Sequence, residues 1–284
     1  MARNIRFFLI SLILSLGLSF TQTTKTEASG ITLHMFMVDH AIAKIKDKSF
    51  KQFLKNNWHT LQNGVMFPDS GYASKVKYGE FAHWAPFLNT FGGYLDETCS
   101  WPLDLRCETL FAYFLGSLAH TLGDINFDRY FVTAVAQQSF KGNMGDAQNY
   151  TDFGLDMLAI WDYDRGRIMP YKWAPTDEMA IVLSRTEIPT SSADIALGTN
   201  LLYAGILAER PGSIFTYVYY ALRSRWAYQN YLRAKGGVFD SGRIIAEVWQ
   251  QVWDTVMRDR RFVGLTRFHN QGGWPNVDFW IESN

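Results

Sequence analysis

One apolar stretch constrains this chain more than any other. Residues 114–128 read FLGSLAHTLGDINFD, and their pattern predicts a helix. His120, Asp124 and Asp128 recur there at every fourth residue, a spacing that places three side chains along one helix face. One imidazole and two carboxylates in such a setting must be offset by cations, hydrogen-bond donors or solvent. The row by itself fits either a polar stripe that faces water or a row of metal ligands.

The bulk composition limits the class of protein. The 284 residues are 48% hydrophobic and 16% aromatic, which is enough for a large core. Lys plus Arg and Asp plus Glu each number 27, so the formal net charge is zero. Nucleic-acid binding relies on a basic surplus or stripe, and the composition shows no such surplus. A globular enzyme or binding domain is therefore favoured.

The N-terminus predicts export. Two arginines precede an apolar run, residues 7–20, which has the length of a signal-peptide core. We expect residues 1–28 to be a cleaved signal peptide, with an uncleaved anchor helix as the alternative, and the protein to be secreted or periplasmic. In an oxidising compartment the two cysteines, Cys99 and Cys107, could close a small loop.

Helical apolar spacing recurs along most of the chain. It predicts a helix from residue 31 to 54, a long helix that begins near Thr109, and three C-terminal helices: Ile195–Ala208, Ile214–Ala234 and Gly242–Arg258, with breaks at Pro211-Gly212 and Gly236-Gly237. Strand signals are few, and residues 131–136 fit either type. We expect a mainly α fold, a single-domain multi-helix bundle over residues 31–284, with the motifs in 31–162 and further helices in 193–258.

Each candidate ligand has an ordinary structural explanation when it is considered alone. Pro68 disfavours helical backbone at the residue before it, so Asp69 is expected on a loop or at a helix start, where it could cap. His34 could also cap a helix. His83 could pack among its aromatic neighbours, and His120 could be a satisfied core histidine. Composition and spacing alone leave a metal site as the minority hypothesis.

Five short motifs, taken in order, resemble those of the zinc-dependent phospholipase C family. They are HMFMVDHAI from His34, GVMFPD ending at Asp69, HWAPFLN from His83, FLGSLAHTLGD ending at Asp124, and DFGLD ending at Asp156. The likeness covers residues 31–162 and is closest to the catalytic region of the glycosylphosphatidylinositol-specific phospholipase D branch. The fourth motif is shared with the family's zinc-dependent single-strand nucleases. The likeness is specific because all five motifs occur in sequence order.

The resemblance implies a set of ligands and a reaction. It gives His34, Asp69, His83, His120 and Asp124 as ligands of a two-zinc cluster, with Asp124 as the bridge. It implies metal-activated attack of water on phosphorus, with Asp69 able to orient that water as a base. Asp69 and Asp124 are therefore the expected catalytic residues. The implied activity is that of an exported, metal-dependent phosphodiesterase acting on phospholipids or related phosphate esters at a membrane surface.

The chain departs from the family's pattern at a third metal site. The family has a histidine-rich set there, whereas this chain has Asp128, Asp152 and Asp156. Three carboxylates favour a harder cation, such as Ca²⁺, over zinc. Alternatively the site has lost its metal and the carboxylates bond Arg129 or Arg165.

Two alternative functions stay open at this point. One is a single-strand nuclease of the same superfamily, although the zero net charge counts against binding of a polyanion. The other is a non-catalytic relative that binds metal or lipid. The lipid headgroup, the side of the phosphate that is cleaved and the oligomeric state do not follow from the sequence.

Overall fold

The computed structural model describes residues 30–163 and 169–262, and this part of the chain is helical without a strand. The mainly α prediction is therefore confirmed, while the predicted signal peptide and Arg165 lie outside the described residues. In chain order the α-helices are α1 Ile31–Lys44, α2 Lys48–Asn56, α3 Trp58–Ala73, α4 Tyr78–Ala82, α5 Ala85–Thr98, α6 Leu105–Asn126, α7 Thr133–Ser139, α8 Met144–Asn149, α9 Leu155–Asp162, α10 Thr176–Ser184, α11 Ser192–Arg223, α12 Arg225–Asn230 and α13 Val238–Asp259.

Two π-helical segments interrupt otherwise helical stretches. Phe127–Val132 joins α6 to α7, and Tyr150–Gly154 joins α8 to α9. The first contains Asp128 and the second contains Asp152. Such segments insert an extra residue into a turn and often occur at functional sites. Residues 131–136, which fitted either type of structure in the sequence, are helical.

Helix α6 lies at the centre of the bundle, and its residues 110–124 are all buried. It begins at Leu105, earlier than predicted, because Asp104 caps it by accepting from the backbone N–H of Cys107 at 2.8 Å. Trp249 of α13 packs against it and donates its indole N–H to the carbonyl of Leu115 at 3.0 Å. Because this stretch is buried, the part of the row that holds His120 and Asp124 is not a water-facing stripe.

Helices α3 and α6 approach each other so closely that their contact requires glycine. A Cβ at Gly116 would lie 2.1 Å from the carbonyl oxygen of Leu61, and a Cβ at Gly64 would lie 2.2 Å from the carbonyl oxygen of Tyr113. A side chain at either position would collide with backbone rather than with a movable side chain. This close contact brings Asp69 of α3 towards the ligand row of α6.

The expectation that Asp69 lies on a loop or at a helix start was wrong. Helix α3 continues through Pro68 to Ala73. Proline lacks the N–H that would bond the carbonyl four residues earlier, which is that of Gly64. The hydroxyl of Ser117 on α6 donates to that carbonyl instead, at 3.1 Å. A donor from a neighbouring helix thus replaces the missing hydrogen bond. The rule that proline ends a helix considers only neighbours in the sequence and does not include such a donor.

The predicted break at Pro211 was also wrong. Helix α11 runs without interruption from Ser192 to Arg223. Pro211 and Leu207 are both exposed, so water can bond the Leu207 carbonyl that proline leaves without a helical donor. A separate short helix, α12, and α13 follow.

Cys99 and Cys107 form a disulfide bond that connects the end of α5 to the beginning of α6. The small loop that the sequence allowed is therefore closed. Among the described helices, none combines the length and the apolar run needed to cross a bilayer.

Candidate metal centre

The five side chains predicted as zinc ligands meet at one place. Helix α1 supplies His34, α3 supplies Asp69, and α6 supplies both His120 and Asp124, while His83 follows directly after α4. The three histidines are buried, and the carboxylate of Asp69 is the most exposed of the five side chains, at 13%. The two ligands spaced i, i+4 on α6 therefore belong to a cluster to which other helices also contribute.

Asp124 lies at the centre of this cluster. Its Oδ1 is 3.0 Å from Nε2 of His34, and its Oδ2 is 3.1 Å from Nε2 of His120. Oδ2 is also 3.7 Å from Nε2 of His83, which in turn lies 3.3 Å from Oδ1 of Asp69. The two oxygens of one carboxylate therefore face different imidazoles, as a bridging ligand between two ions requires.

The ligand atoms fall into two overlapping groups. His34, His120 and Asp124 form one, and Asp69, His83 and His120 form the other. Within each group the candidate ligand atoms all lie within 4.8 Å of one another. Imidazole nitrogens combined with carboxylate oxygens are the donor set that zinc prefers.

The histidine rings are oriented towards the cluster. Nδ1 of His83 donates to the carbonyl of Gly79 at 2.7 Å, so the proton is fixed there and Nε2 points at the carboxylates. Nε2 of His83 and both ring nitrogens of His120 are buried without an aligned hydrogen bond. Buried polar atoms of this kind are costly unless something else binds them. The donor set and these nitrogens therefore fit a zinc cluster.

The cluster shifts the pKa values of its members in different directions. Burial opposes ionisation of Asp124, but the neighbouring His120 and His34 outweigh it and hold the carboxyl pKa well below its usual range. Burial, together with the nearby imidazole of His34, lowers the pKa of His120. Burial also lowers the pKa of His83, but Asp69 and Asp124 outweigh that effect and raise it to about 9. Asp124 and His120 are therefore already in the protonation states that bind a metal ion, whereas His83 would release a proton on binding one.

The three carboxylates of the predicted third site are only partly brought together. The side-chain amide of Gln148 donates to Oδ1 of Asp128 and to Oδ1 of Asp152, both at 3.3 Å. Burial and the nearby carboxylate of Asp128 raise the pKa of Asp152 well above its usual range. Asp156 instead accepts from the backbone N–H groups of Thr32 and Leu33, at 3.0 and 2.9 Å.

Asp156 therefore holds the N-terminal turn of α1, the helix that carries His34. Its carboxylate satisfies backbone donors that a helix start leaves without partners. Within the described residues, Asp128, Asp152 and Asp156 do not form a group of three ligand atoms as compact as the two groups around His120. A metal at the third site stays a prediction.

Two acidic residues near the metal centre were not predicted as site residues from the sequence. Glu80 accepts from the Tyr72 hydroxyl and from the Trp84 indole, both at 2.6 Å, and the Tyr72 ring lies 5.1 Å from that of His83. Glu209 is largely buried, and burial together with Asp156 raises its pKa well above the usual range. The signal for Glu209 was its place, next to Arg210, in a stretch of α11 from residue 195 to 222 that holds no other charge. Glu80 had no signal beyond its short separation from His83 in the sequence.

Comparisons with known proteins agree with this geometry. Residues 33–183, more than half of the chain, match the family described as zinc dependent phospholipase C. The phosphatidylinositol-glycan-specific phospholipase D of Dictyostelium discoideum is 26% identical over 220 residues, which cover 73% of this chain and 23% of that protein. The Bos taurus enzyme of the same name is 26% identical over 170 residues, which cover 55% and 20%, respectively.

The human phospholipase D of that name is 25% identical over 142 residues, or 46% of this chain and 17% of that protein. The chain thus spans about a fifth of the length of the curated relatives that it matches. No solved structure matches it. The match over residues 33–183, together with the cluster that those residues form, shows that the chain belongs to the zinc-dependent phospholipase C family of hydrolases.

Proposed function

We propose that the protein is an exported, zinc-dependent phosphodiesterase that hydrolyses phospholipids or related phosphate esters. The observation that carries the proposal is the convergence of three imidazoles and two carboxylates around Asp124, in a chain of this family. A structural role alone does not require buried imidazole nitrogens that lack aligned hydrogen bonds.

The ligand roles follow the two groups. His34, His120 and Asp124 would hold one ion, and Asp69 and His83 would hold the other together with His120, which belongs to both groups. Asp124 would be the bridge, since its Oδ2 also lies 3.7 Å from Nε2 of His83. Bound zinc supplies polarisation of phosphoryl oxygens and a lowered pKa for a bound water. Asp69 accepts the proton of the attacking water, since it is the most exposed carboxylate of the cluster. His83 is kept in the correct tautomer by the Gly79 carbonyl.

The third site is proposed to take a harder cation. Asp128 and Asp152 lie on the two π-helical segments and both accept from the amide of Gln148, so their carboxylates are close together. Carboxylate oxygens favour Ca²⁺ over zinc. Asp156 of α9 would add a third carboxylate from beside the N-terminus of α1, where it already accepts from two backbone N–H groups.

The substrate class follows from the relatives, which are named for cleavage of a phosphatidylinositol glycan. A phospholipid is therefore the proposed substrate, and an inositol-containing headgroup is one member of the panel to be tried. Export is supported by the disulfide between Cys99 and Cys107, since such bonds persist in oxidising compartments.

Hydrolysis of a substrate panel tests the proposal. The purified protein is incubated with phospholipids of different headgroups and with single-stranded DNA, with zinc and with a chelator. We expect zinc-dependent release of phosphatidate or of diacylglycerol, and the product tells which side of the phosphate is cleaved. Zinc-dependent cleavage of DNA without lipid hydrolysis would assign the nuclease function instead. No reaction with any substrate would favour a non-catalytic relative.

A further inference from the structure

Helix α11 presents an apolar ridge to the exterior. Of the thirteen exposed large apolar side chains in the described part of the chain, eight lie on this helix. Six of them form what we name the outer face of α11: Leu207, Ile214, Phe215, Val218, Tyr219 and Leu222. At 100° per residue these six occupy an arc of about 140° on one side of the helix. Phe215 and Leu222 are the most exposed, at 73% and 74%.

The outer face carries no charge. Between Asp194 and Arg223 the helix contains two charged residues, Glu209 and Arg210, and both are partly buried and lie outside that arc. Exposed apolar ridges of this length are unusual on a protein that faces only water, and they mark interaction surfaces. An apolar helix face that includes Phe and Leu is also the part of interfacial helices that enters the boundary between headgroups and acyl chains.

The opposite face of α11 packs beside the metal centre. Ile206 joins a buried apolar cluster with Ile31, Met35 and Met66. Met35 follows His34 in the chain, and Met66 lies one helical turn before Asp69. The Leu207 end of the outer face is therefore about one helix diameter, roughly 10–12 Å, from residues that adjoin the ligands. Phe215 and Leu222 lie about 14 and 24 Å further along the helix axis than Ile206.

The C-terminal end of the ridge is basic. Arg223 donates to the hydroxyl of Tyr219 at 3.0 Å, and Arg225 is also exposed. Tyrosine and arginine beside an apolar ridge suit the boundary where lipid headgroups meet acyl chains. No exposed acidic residue lies on α11 between Asp194 and its end at Arg223, so the helix itself adds no negative charge to this face. The exposed carboxylate of Asp162 on α9 contacts α11 at Tyr217, which lies outside the arc of the outer face.

From these observations we propose that the outer face of α11 docks the protein on the surface of a phospholipid bilayer. The inference rests on the proposed function, because a lipid substrate is what brings the enzyme to a bilayer. A convex ridge needs a complementary groove in a protein partner, whereas a lipid interface accommodates it without one. Docking through α11 keeps the metal centre close to the lipid from which it takes its substrate.

Vesicle binding of a doubly substituted protein tests this proposal. The outer-face variant is Phe215→Glu/Leu222→Glu, and the matched control is Leu105→Glu/Ile181→Glu, which places the same charges at exposed apolar residues of α6 and α10. Sedimentation with vesicles of phosphatidylcholine and phosphatidylglycerol gives the partition coefficient. We expect at least about a tenfold loss for the outer-face variant and little change for the control.

Hydrolysis separates this inference from the proposed function. A short-chain phospholipid dispersed as monomers should be hydrolysed by the outer-face variant within about twofold of the unsubstituted rate, while hydrolysis of vesicle lipid falls with the partition coefficient. Equal vesicle binding by the variant, or no binding by the unsubstituted protein, would overturn the docking surface. The proposal would also be overturned if the unsubstituted protein were a dimer that the outer-face substitutions convert to monomers. The outer face would then bind a second copy of the chain. Vesicle binding that depends on the outer face, without hydrolysis of the dispersed lipid, would support the surface and contradict the proposed function.

Discussion

Nε2 of His34 lies 3.0 Å from Oδ1 of Asp124, although the two residues belong to different helices. The second oxygen of Asp124 faces His120, so one carboxylate links two imidazoles. Asp124→Asn keeps the size of the side chain and removes the charge that the two proposed ions would share. We expect phosphodiesterase activity to fall at least about a hundredfold while the far-ultraviolet circular dichroism stays unchanged.

The matched control for that substitution is Asp254→Asn, which makes the same chemical change on an exposed residue of α13. It should keep full activity. Retained activity in Asp124→Asn would remove this residue from the proposed chemistry, and equal losses in both variants would point to a general effect on the fold.

Removal of metal should destabilise the protein. A ligand that binds only the folded state stabilises it by about 4 kcal/mol at a concentration a thousand times its dissociation constant. A chelator should therefore lower the melting temperature, and zinc should restore it, because His34, His120 and Asp124 face one another only in the fold. Calcium at the same concentration should not replace zinc at this cluster, since imidazole is a poor ligand for it. An unchanged melting temperature after complete metal removal would argue against the cluster.

Gly116→Ala should destabilise the contact between α3 and α6. The added Cβ would lie 2.1 Å from the carbonyl oxygen of Leu61, so the helices must move apart at a cost of about 1–3 kcal/mol. The control is Gly93→Ala on α5, where no atom beyond the local backbone of that helix lies within 4 Å of the new Cβ. That change should stabilise the fold by about 0.5–1 kcal/mol. Urea unfolding measures the free energy of unfolding of both variants. An equal change for the two substitutions would show that the close approach of α3 and α6 does not determine the stability.

The bond from Ser117 to the Gly64 carbonyl should be coupled to Pro68. Ser117→Ala leaves that carbonyl without its donor and should cost about 1 kcal/mol in unfolding free energy. In a Pro68→Ala background residue 68 regains an N–H that bonds the same carbonyl, so Ser117→Ala should cost much less. A double-mutant cycle in urea measures the coupling. Additive effects would mean that Ser117 does not compensate for the proline.

The sequence was most informative where a motif and a helical period coincide. His120 and Asp124 combine i, i+4 spacing with a family motif, and the structure places both in the cluster. The helix ends predicted at Pro68 and Pro211 were wrong. A donor on another helix bonds the free carbonyl in the first case, and exposure to solvent satisfies it in the second. Glu209 was missed because its burial depends on how α11 packs over α1 and α3. Asp156 was predicted as a metal ligand, but only the fold shows that it also holds the start of α1.

The zinc content of the purified protein tests the central proposal most directly. Protein that is prepared with zinc, dialysed and analysed for metal should retain about two tightly bound zinc ions per chain. Asp124→Asn should retain clearly less under the same conditions, while Asp254→Asn should match the unsubstituted protein. A fully folded protein that holds no zinc after this treatment would contradict the two-zinc centre around Asp124.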